Sequence, residues 1–226
     1  MIYYVSASVK RSGDGSKELP FQTISEAAKI AVAGDEVVVL PGFYREWVDP
    51  QNGGESDDCR ITYRSEVPGG AVITGSEVVK SWQPYEGDVW VARIPNGVFG
   101  EYNPYTTLIE GDWYIPAKPF HTGEVYLNGK SMYEAEELDG VLNPQVFKAS
   151  WDPEFTVYRW YTCQENGETV IYANFHGANP NEENVEINVR RNCFPARLAS
   201  TTSLCPVSWC VRLPLSGRLP PLTRKA

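Results

Sequence analysis

Gly34-Asp35-Glu36-Val37-Val38-Val39-Leu40-Pro41-Gly42-Phe43-Tyr44-Arg45-Glu46-Trp47-Val48 runs from a Gly-Asp turn through an unbroken apolar segment to a Pro-Gly corner, then resumes as a second extended segment. The run from Val37 to Leu40 has strand length and no polar alternation, the pattern of a strand buried on both faces. Such strands belong to parallel sheets. Parallel neighbours ordinarily need a helical crossover. Here Tyr44 to Val48 regains aromatic and β-branched character after a tight corner, too short a connection for a helix. A parallel sheet that turns corners without helices is a β-helix, and this stretch reads as its first full coil.

A second coil begins at Cys59-Arg60-Ile61-Thr62-Tyr63-Arg64-Ser65, turns at Pro68-Gly69-Gly70 and continues as Ala71-Val72-Ile73-Thr74-Gly75. The step from Val37 to Ile61 is 24 residues, within the range of solenoid repeats. Two coils are fewer than the three or so such stacks need, so further coils must come from elsewhere. Ahead of them, Ile2-Tyr3-Tyr4-Val5 reads as a strand and Ser12-Gly13-Asp14-Gly15-Ser16 as a turn that completes neither a calcium nor a phosphate motif. Thr23-Ile24-Ser25-Glu26 has the form of a capping box, and Ile24, Ala27, Ala28 and Ala31 follow at helical spacing. This short helix, with Phe21, is expected to cap the open end of the β-helix over residues 1–81.

From Trp82 to Asn184 the character changes. This segment holds five of the seven tryptophans, Trp82, Trp90, Trp113, Trp151 and Trp160. Short strands occur at Asp88-Val89-Trp90-Val91-Ala92, Glu124-Val125-Tyr126-Leu127 and Thr169-Val170-Ile171-Tyr172-Ala173, with hairpin turns signalled by Asn128-Gly129 and Asn166-Gly167. Regular short strands with such turns predict an antiparallel β-sandwich inserted over residues 82–184. Val185-Glu186-Ile187-Asn188-Val189-Arg190 alternates again and is expected to return the chain to the β-helix over 185–196. Residues 197–226 read as an aberrant basic tail, either disordered or translated out of frame. Shifting a back-translation of residues 198–221 by one frame yields an alternating strand suited to a third coil.

The chain of 226 residues is long enough for a substantial core, and its 42% hydrophobic and 12% aromatic content is that of a folded globular protein. A net charge of −9 argues against nucleic acid as a partner, since phosphate binding needs clustered Lys and Arg. No apolar run approaches the roughly 20 residues that span a bilayer, and Met1 leads straight into a strand, so the expectation is a cytoplasmic protein without a membrane partner. Cys59, Cys163, Cys193, Cys205 and Cys210 form no CxxC pair, and His121 and His176 lie far apart in the chain. A bound transition metal is therefore not expected, nor is any cofactor, and the cysteines read as reduced, buried small hydrophobes.

A family resemblance rests on specific stretches: Phe43-Tyr44-Arg45-Glu46-Trp47-Val48, Arg60-Ile61-Thr62-Tyr63, Ile73-Thr74-Gly75-Ser76-Glu77, Phe99-Gly100-Glu101-Tyr102-Asn103-Pro104-Tyr105, Gly111-Asp112-Trp113, Val125-Tyr126-Leu127-Asn128-Gly129 and Ile171-Tyr172-Ala173-Asn174-Phe175-His176-Gly177-Ala178-Asn179-Pro180-Asn181-Glu182-Glu183. Together, and in this order, they resemble the N-terminal third of a glycoside hydrolase family 120 β-xylosidase. The resemblance implies an all-β protein, a right-handed parallel β-helix interrupted by a β-sandwich. It also implies a retaining hydrolase that releases xylose from short xylo-oligosaccharides. Retention requires a nucleophile and an acid/base carboxylate about 5–5.5 Å apart. In the family both lie on later coils, so the resemblance assigns neither to a residue here, and the chain alone is expected to be inactive.

Glu46, Asp49, Asp57, Asp58, Glu101 and Asp112 are catalytic candidates by residue type alone, and most acids at 29 positions must be solvated surface. The aromatic and amide cluster of Tyr102, Asn103, Tyr105, Asp112 and Trp113 is the more specific signal. Sugar rings stack their C–H faces on aromatic planes while amides and acids bind the hydroxyls. The cluster could line a sugar pocket in its own subunit or reach into a neighbour's, which brings a homo-oligomer of the full-length protein into consideration. The competing view, favoured by the residue types, is that these rings fill the sandwich core or a subunit contact. Two other function classes stay open, a carbohydrate-binding or structural β-helix module and a pectate-lyase-like enzyme. The latter wants a calcium cage of aspartates and a base, which the two coils do not show.

Overall fold

The computed structural model describes residues 1–111 and 119–194. They fall into two compact units, residues 1–75 with 192–194 and residues 76–191. The tail expected over 197–226 lies outside the described residues.

In the first unit, β1 (Ile2–Val5) is followed by a short helix, α1 (Ile24–Ile30), and then by β2 (Glu36–Val39), β3 (Gly42–Arg45), β4 (Thr62–Ser65) and β5 (Ala71–Thr74). Strands β1, β2 and β4 pair in parallel in that order, and β3 pairs in parallel with β5. No helix connects β2 to β3 or β4 to β5, so each coil places one strand in each of two parallel sheets. This is a β-solenoid. Its register stacks Tyr3 on Val37 on Tyr63, and Val5 on Val39. Val37, Val38 and Val39 are all buried, so β2 is covered on both faces as its unbroken apolar run requires. The corner after β2 is locked by Tyr44, whose hydroxyl donates to the Leu40 carbonyl at 2.8 Å and accepts from the Ala7 amide at 3.2 Å.

The edge of β1 is closed by Phe21, which exchanges backbone hydrogen bonds with Tyr4 and Ser6 at 2.9 and 2.8 Å. Directly after it, α1 buries Ile24, Ala27 and Ala28 in the solenoid core. The helix N-terminus is fully capped. Thr23 and Glu26 form the reciprocal capping box, while the Glu46 carboxylate accepts the Ile24 and Ser25 amides, both at 2.8 Å. Orphan amides at a helix start and the positive end of its dipole both favour a carboxylate there.

Glu26 is held below the ordinary carboxylate range: burial pushes it up, but hydrogen bonds from Ser12 and Thr23 outweigh that. A carboxyl with a lowered folded pKa stabilises the fold above its unfolded value and loses that contribution as pH falls through the folded one. Stability should therefore drop on the acid side of about pH 4.5. Glu26→Gln should flatten that acid-side slope, read from urea midpoints as a function of pH.

The second unit is built from β6 (Ser76–Val78), β7 (Gln83–Glu86), β8 (Val89–Pro95), β9 (Val125–Leu127), β10 (Lys130–Ser131), β11 (Tyr133–Glu134), a single helical turn α2 (Asp139–Leu142), β12 (Arg159–Glu165), β13 (Glu168–Asn174) and β14 (Val185–Asn188). One sheet has the order β10-β9-β14-β6, the other β11-β12-β13-β8-β7, and all pairings but the parallel β11–β12 are antiparallel. Trp160, Ala92, Ile94, Ile171 and Ala173 of the second sheet share one core with Val125, Leu127, Val185 and Ile187 of the first. The hairpins turn where glycine and asparagine tolerate the left-handed region: Asn128 and Gly129 at φ 51° and 79°, Asn166 and Gly167 at 50° and 82°.

One expectation changes. Val185–Asn188 does not rejoin the solenoid but sits between β9 and β6 as an inner strand of the antiparallel sheet. Alternation identifies a strand and its buried face but carries no information about which sheet accepts it. The link to the solenoid comes later, where Val48 donates to the Cys193 carbonyl at 2.8 Å and Phe194 packs edge-on against Tyr63. Of the described cysteines Cys193 is buried, whereas Cys59 and Cys163 are only half-buried. Among the described residues no helix is long and apolar enough to cross a membrane.

Candidate functional site

The cluster singled out from sequence separates into parts with different duties. Asp112 and Trp113 lie outside the described residues. Tyr105 is 1% exposed, its ring packed between Phe99 and Trp160, so it has no face left for a sugar. Burial raises its phenol well above the usual range, which keeps the hydroxyl a neutral donor. That hydroxyl donates to the Glu124 carbonyl at 2.6 Å. Asn103 is a turn-former: its side-chain oxygen accepts the Tyr105 amide at 2.9 Å and its Nδ2 donates to the Thr169 hydroxyl at 2.8 Å. Tyr102 is half-exposed, with its hydroxyl 2.7 Å from that of Thr122 and the Arg191 guanidinium 5.8 Å from its ring centre.

Beneath Tyr102 lies a polar knot inside an otherwise apolar core. Asn188 accepts the Glu124 amide at 2.7 Å and donates to the Thr122 carbonyl at 3.1 Å, and Ser131 donates to the Glu124 carboxylate. This knot fixes residues 122–124 against β14. Such an arrangement is rigid when every member is satisfied.

The carboxylates weighed as catalytic candidates are placed as follows. Glu46 caps α1, Asp57 pairs with Arg60 at 2.5 Å, Asp49 accepts from Gln51 at 3.1 Å, and Asp58 and Glu101 are exposed. Asp35, held by the Met1 amino group and by the Val32 amide, and Asp14, held by Ser16, both sit below the ordinary carboxylate range. A general acid needs a carboxyl pushed the other way.

One pair that sequence reasoning missed has the geometry of an oriented base. The backbone of residues 107–109 runs antiparallel to that of residues 120–122, with Ile109 donating to the Phe120 carbonyl at 2.9 Å, Thr122 to the Thr107 carbonyl at 2.8 Å, and Leu108 opposite His121. Glu134, on β11, spends both oxygens on His121: one lies 2.5 Å from Nδ1 and the other accepts the His121 amide at 2.8 Å. His121 is 22% exposed and Glu134 10%. No spacing rule links positions 121 and 134, since the β9–β10 hairpin separates them. Among the described residues no group of three or more His, Cys, Asp or Glu is placed to hold a metal ion.

Comparison with known proteins gives a consistent placement. The family model described as the glycoside hydrolase 120 insertion domain matches residues 79–187. The solved complex of XylC with xylose is 45% identical to this chain at a TM-score of 0.81, over 86% of this chain. YwoF, an uncharacterised protein of Bacillus subtilis (strain 168), is 35% identical over 78 residues, 34% of this chain. The chain spans 32% of the XylC chain and 16% of YwoF. The matched insertion domain contains strands β7 to β13, and the XylC match extends beyond it. Residues 79–187 match the glycoside hydrolase 120 insertion domain, and the chain is similar to XylC over most of its own length.

Proposed function

We propose that the chain contributes the first coils and the insertion domain of a retaining β-xylosidase-like glycoside hydrolase that acts on xylo-oligosaccharides. In this reading the first unit is the start of a right-handed parallel β-helix, residues 82–184 form an inserted β-sandwich, and the carboxylates that break the bond are not among the described residues. The observation that carries it is the 45% identity to the xylose-bound XylC chain at a TM-score of 0.81. The role left to these residues is scaffold and sugar contact, with Tyr102 the half-exposed ring of the original cluster that still offers surface.

Isothermal titration of the protein with xylobiose tests the substrate class. Saturable binding at millimolar concentration or tighter is the expected result. No heat of binding for xylobiose or longer xylo-oligosaccharides would remove the carbohydrate reading and leave a purely structural module.

A further inference from the structure

We propose that His121, oriented by Glu134, is a sugar-hydroxyl binding position of the insertion domain. The inference rests on the carbohydrate reading above and adds to it a specific atom, Nε2 of His121. A carboxylate can only accept hydrogen bonds, so the ring nitrogen 2.5 Å from Glu134, Nδ1, must carry a proton. In the neutral ring Nε2 is then the acceptor, and it makes no hydrogen bond among the described residues.

The clamp is stronger than a single contact. The second Glu134 oxygen holds the His121 backbone amide, so both the ring plane and its anchor are set by one largely buried side chain. A carboxylate behind one imidazole nitrogen fixes the tautomer and direction of the other, the arrangement by which proteins aim a histidine at a ligand. Leu108 stands directly opposite His121 across the ladder and is 43% exposed. Residues opposed in this way share one face of the ladder. The face therefore pairs an apolar surface with a hydrogen-bonding nitrogen, which suits a pyranose: apolar C–H groups beside hydroxyls that both donate and accept. An anionic ligand would instead meet the Glu134 carboxylate and a chain of net charge −9.

The other histidine supplies an internal control. His176 places Nε2 3.2 Å from the Val157 carbonyl, which can only accept, so its proton sits on Nε2. The two histidines of the chain are thus held as opposite tautomers. Long-range proton–nitrogen correlation spectra of the uniformly nitrogen-15-labelled full chain should show one ring protonated at Nδ1 and one at Nε2. On titration with xylobiose, Nε2 and the adjacent ring proton of His121 should shift in a saturable manner while those of His176 stay fixed. His121→Ala should weaken xylobiose binding by roughly two- to tenfold, the worth of one hydrogen bond. Xylobiose that shifts backbone amides elsewhere but neither histidine would overturn this proposal while leaving the carbohydrate reading intact. Xylobiose that shifts no resonance anywhere would overturn both.

Discussion

Incubated with an aryl β-xyloside, the protein is expected to release no aglycone above the uncatalysed rate, at least about a millionfold below a working glycosidase. A retaining mechanism needs two carboxyl groups about 5–5.5 Å apart, one ionised as nucleophile and one protonated as acid. The candidates named by residue type are committed to other work. Glu46 is spent on the amides of Ile24 and Ser25, Asp57 on Arg60, and Asp58 and Glu101 face water. A chromogenic assay run beside the xylobiose titration reads both halves of the proposed function, and binding without turnover is the expected pair of results. Release at an ordinary enzymatic rate would show that the bond-breaking pair is carried by this chain after all.

The second large effect is on stability. Asn188→Leu should lower the unfolding free energy of the second unit by roughly 2–6 kcal/mol, because it strands the buried Glu124 amide and the Thr122 carbonyl without their partners. Asn188 is 5% exposed, so water cannot replace the lost bonds. Leucine is close in size, which makes the cost one of polar satisfaction and not of packing. Set against the roughly 5–15 kcal/mol that holds a domain together, this is a large fraction. Tyr105→Phe is the graded control: it removes one hydroxyl, while the Glu124 carbonyl keeps the Asn188 amide at 3.3 Å, and should cost about 1 kcal/mol. Because the chain has two compact units, a single global transition is not assumed. Tryptophan fluorescence follows mainly the second unit, which holds Trp82, Trp90, Trp151 and Trp160. A midpoint for Asn188→Leu within error of Tyr105→Phe would show that the knot adds nothing to the fold.

Much of the architecture was legible because it rests on local rules. Val37-Val38-Val39 announces a strand covered on both sides, Thr23-Ile24-Ser25-Glu26 a capped helix, and Asn128-Gly129 and Asn166-Gly167 tight hairpins; each appears where its short-range chemistry puts it. The site was much less legible. Tyr105 and Asn103 carry sugar-binding chemistry by type, yet Tyr105 is walled in by Phe99 and Trp160 and Asn103 is consumed by its own turn. Aromatic and amide residues serve cores and ligands alike, and only their surroundings separate the two uses.

Taken alone, the amino-acid order determined the periods, turns and caps, since these depend on interactions within a few residues. It also carried the family likeness. Which sheet received Val185–Asn188, what Glu46 was for, and that Glu134 would hold His121 were decided by the tertiary structure. Each depends on pairing between segments 13 or more residues apart, which no local pattern encodes.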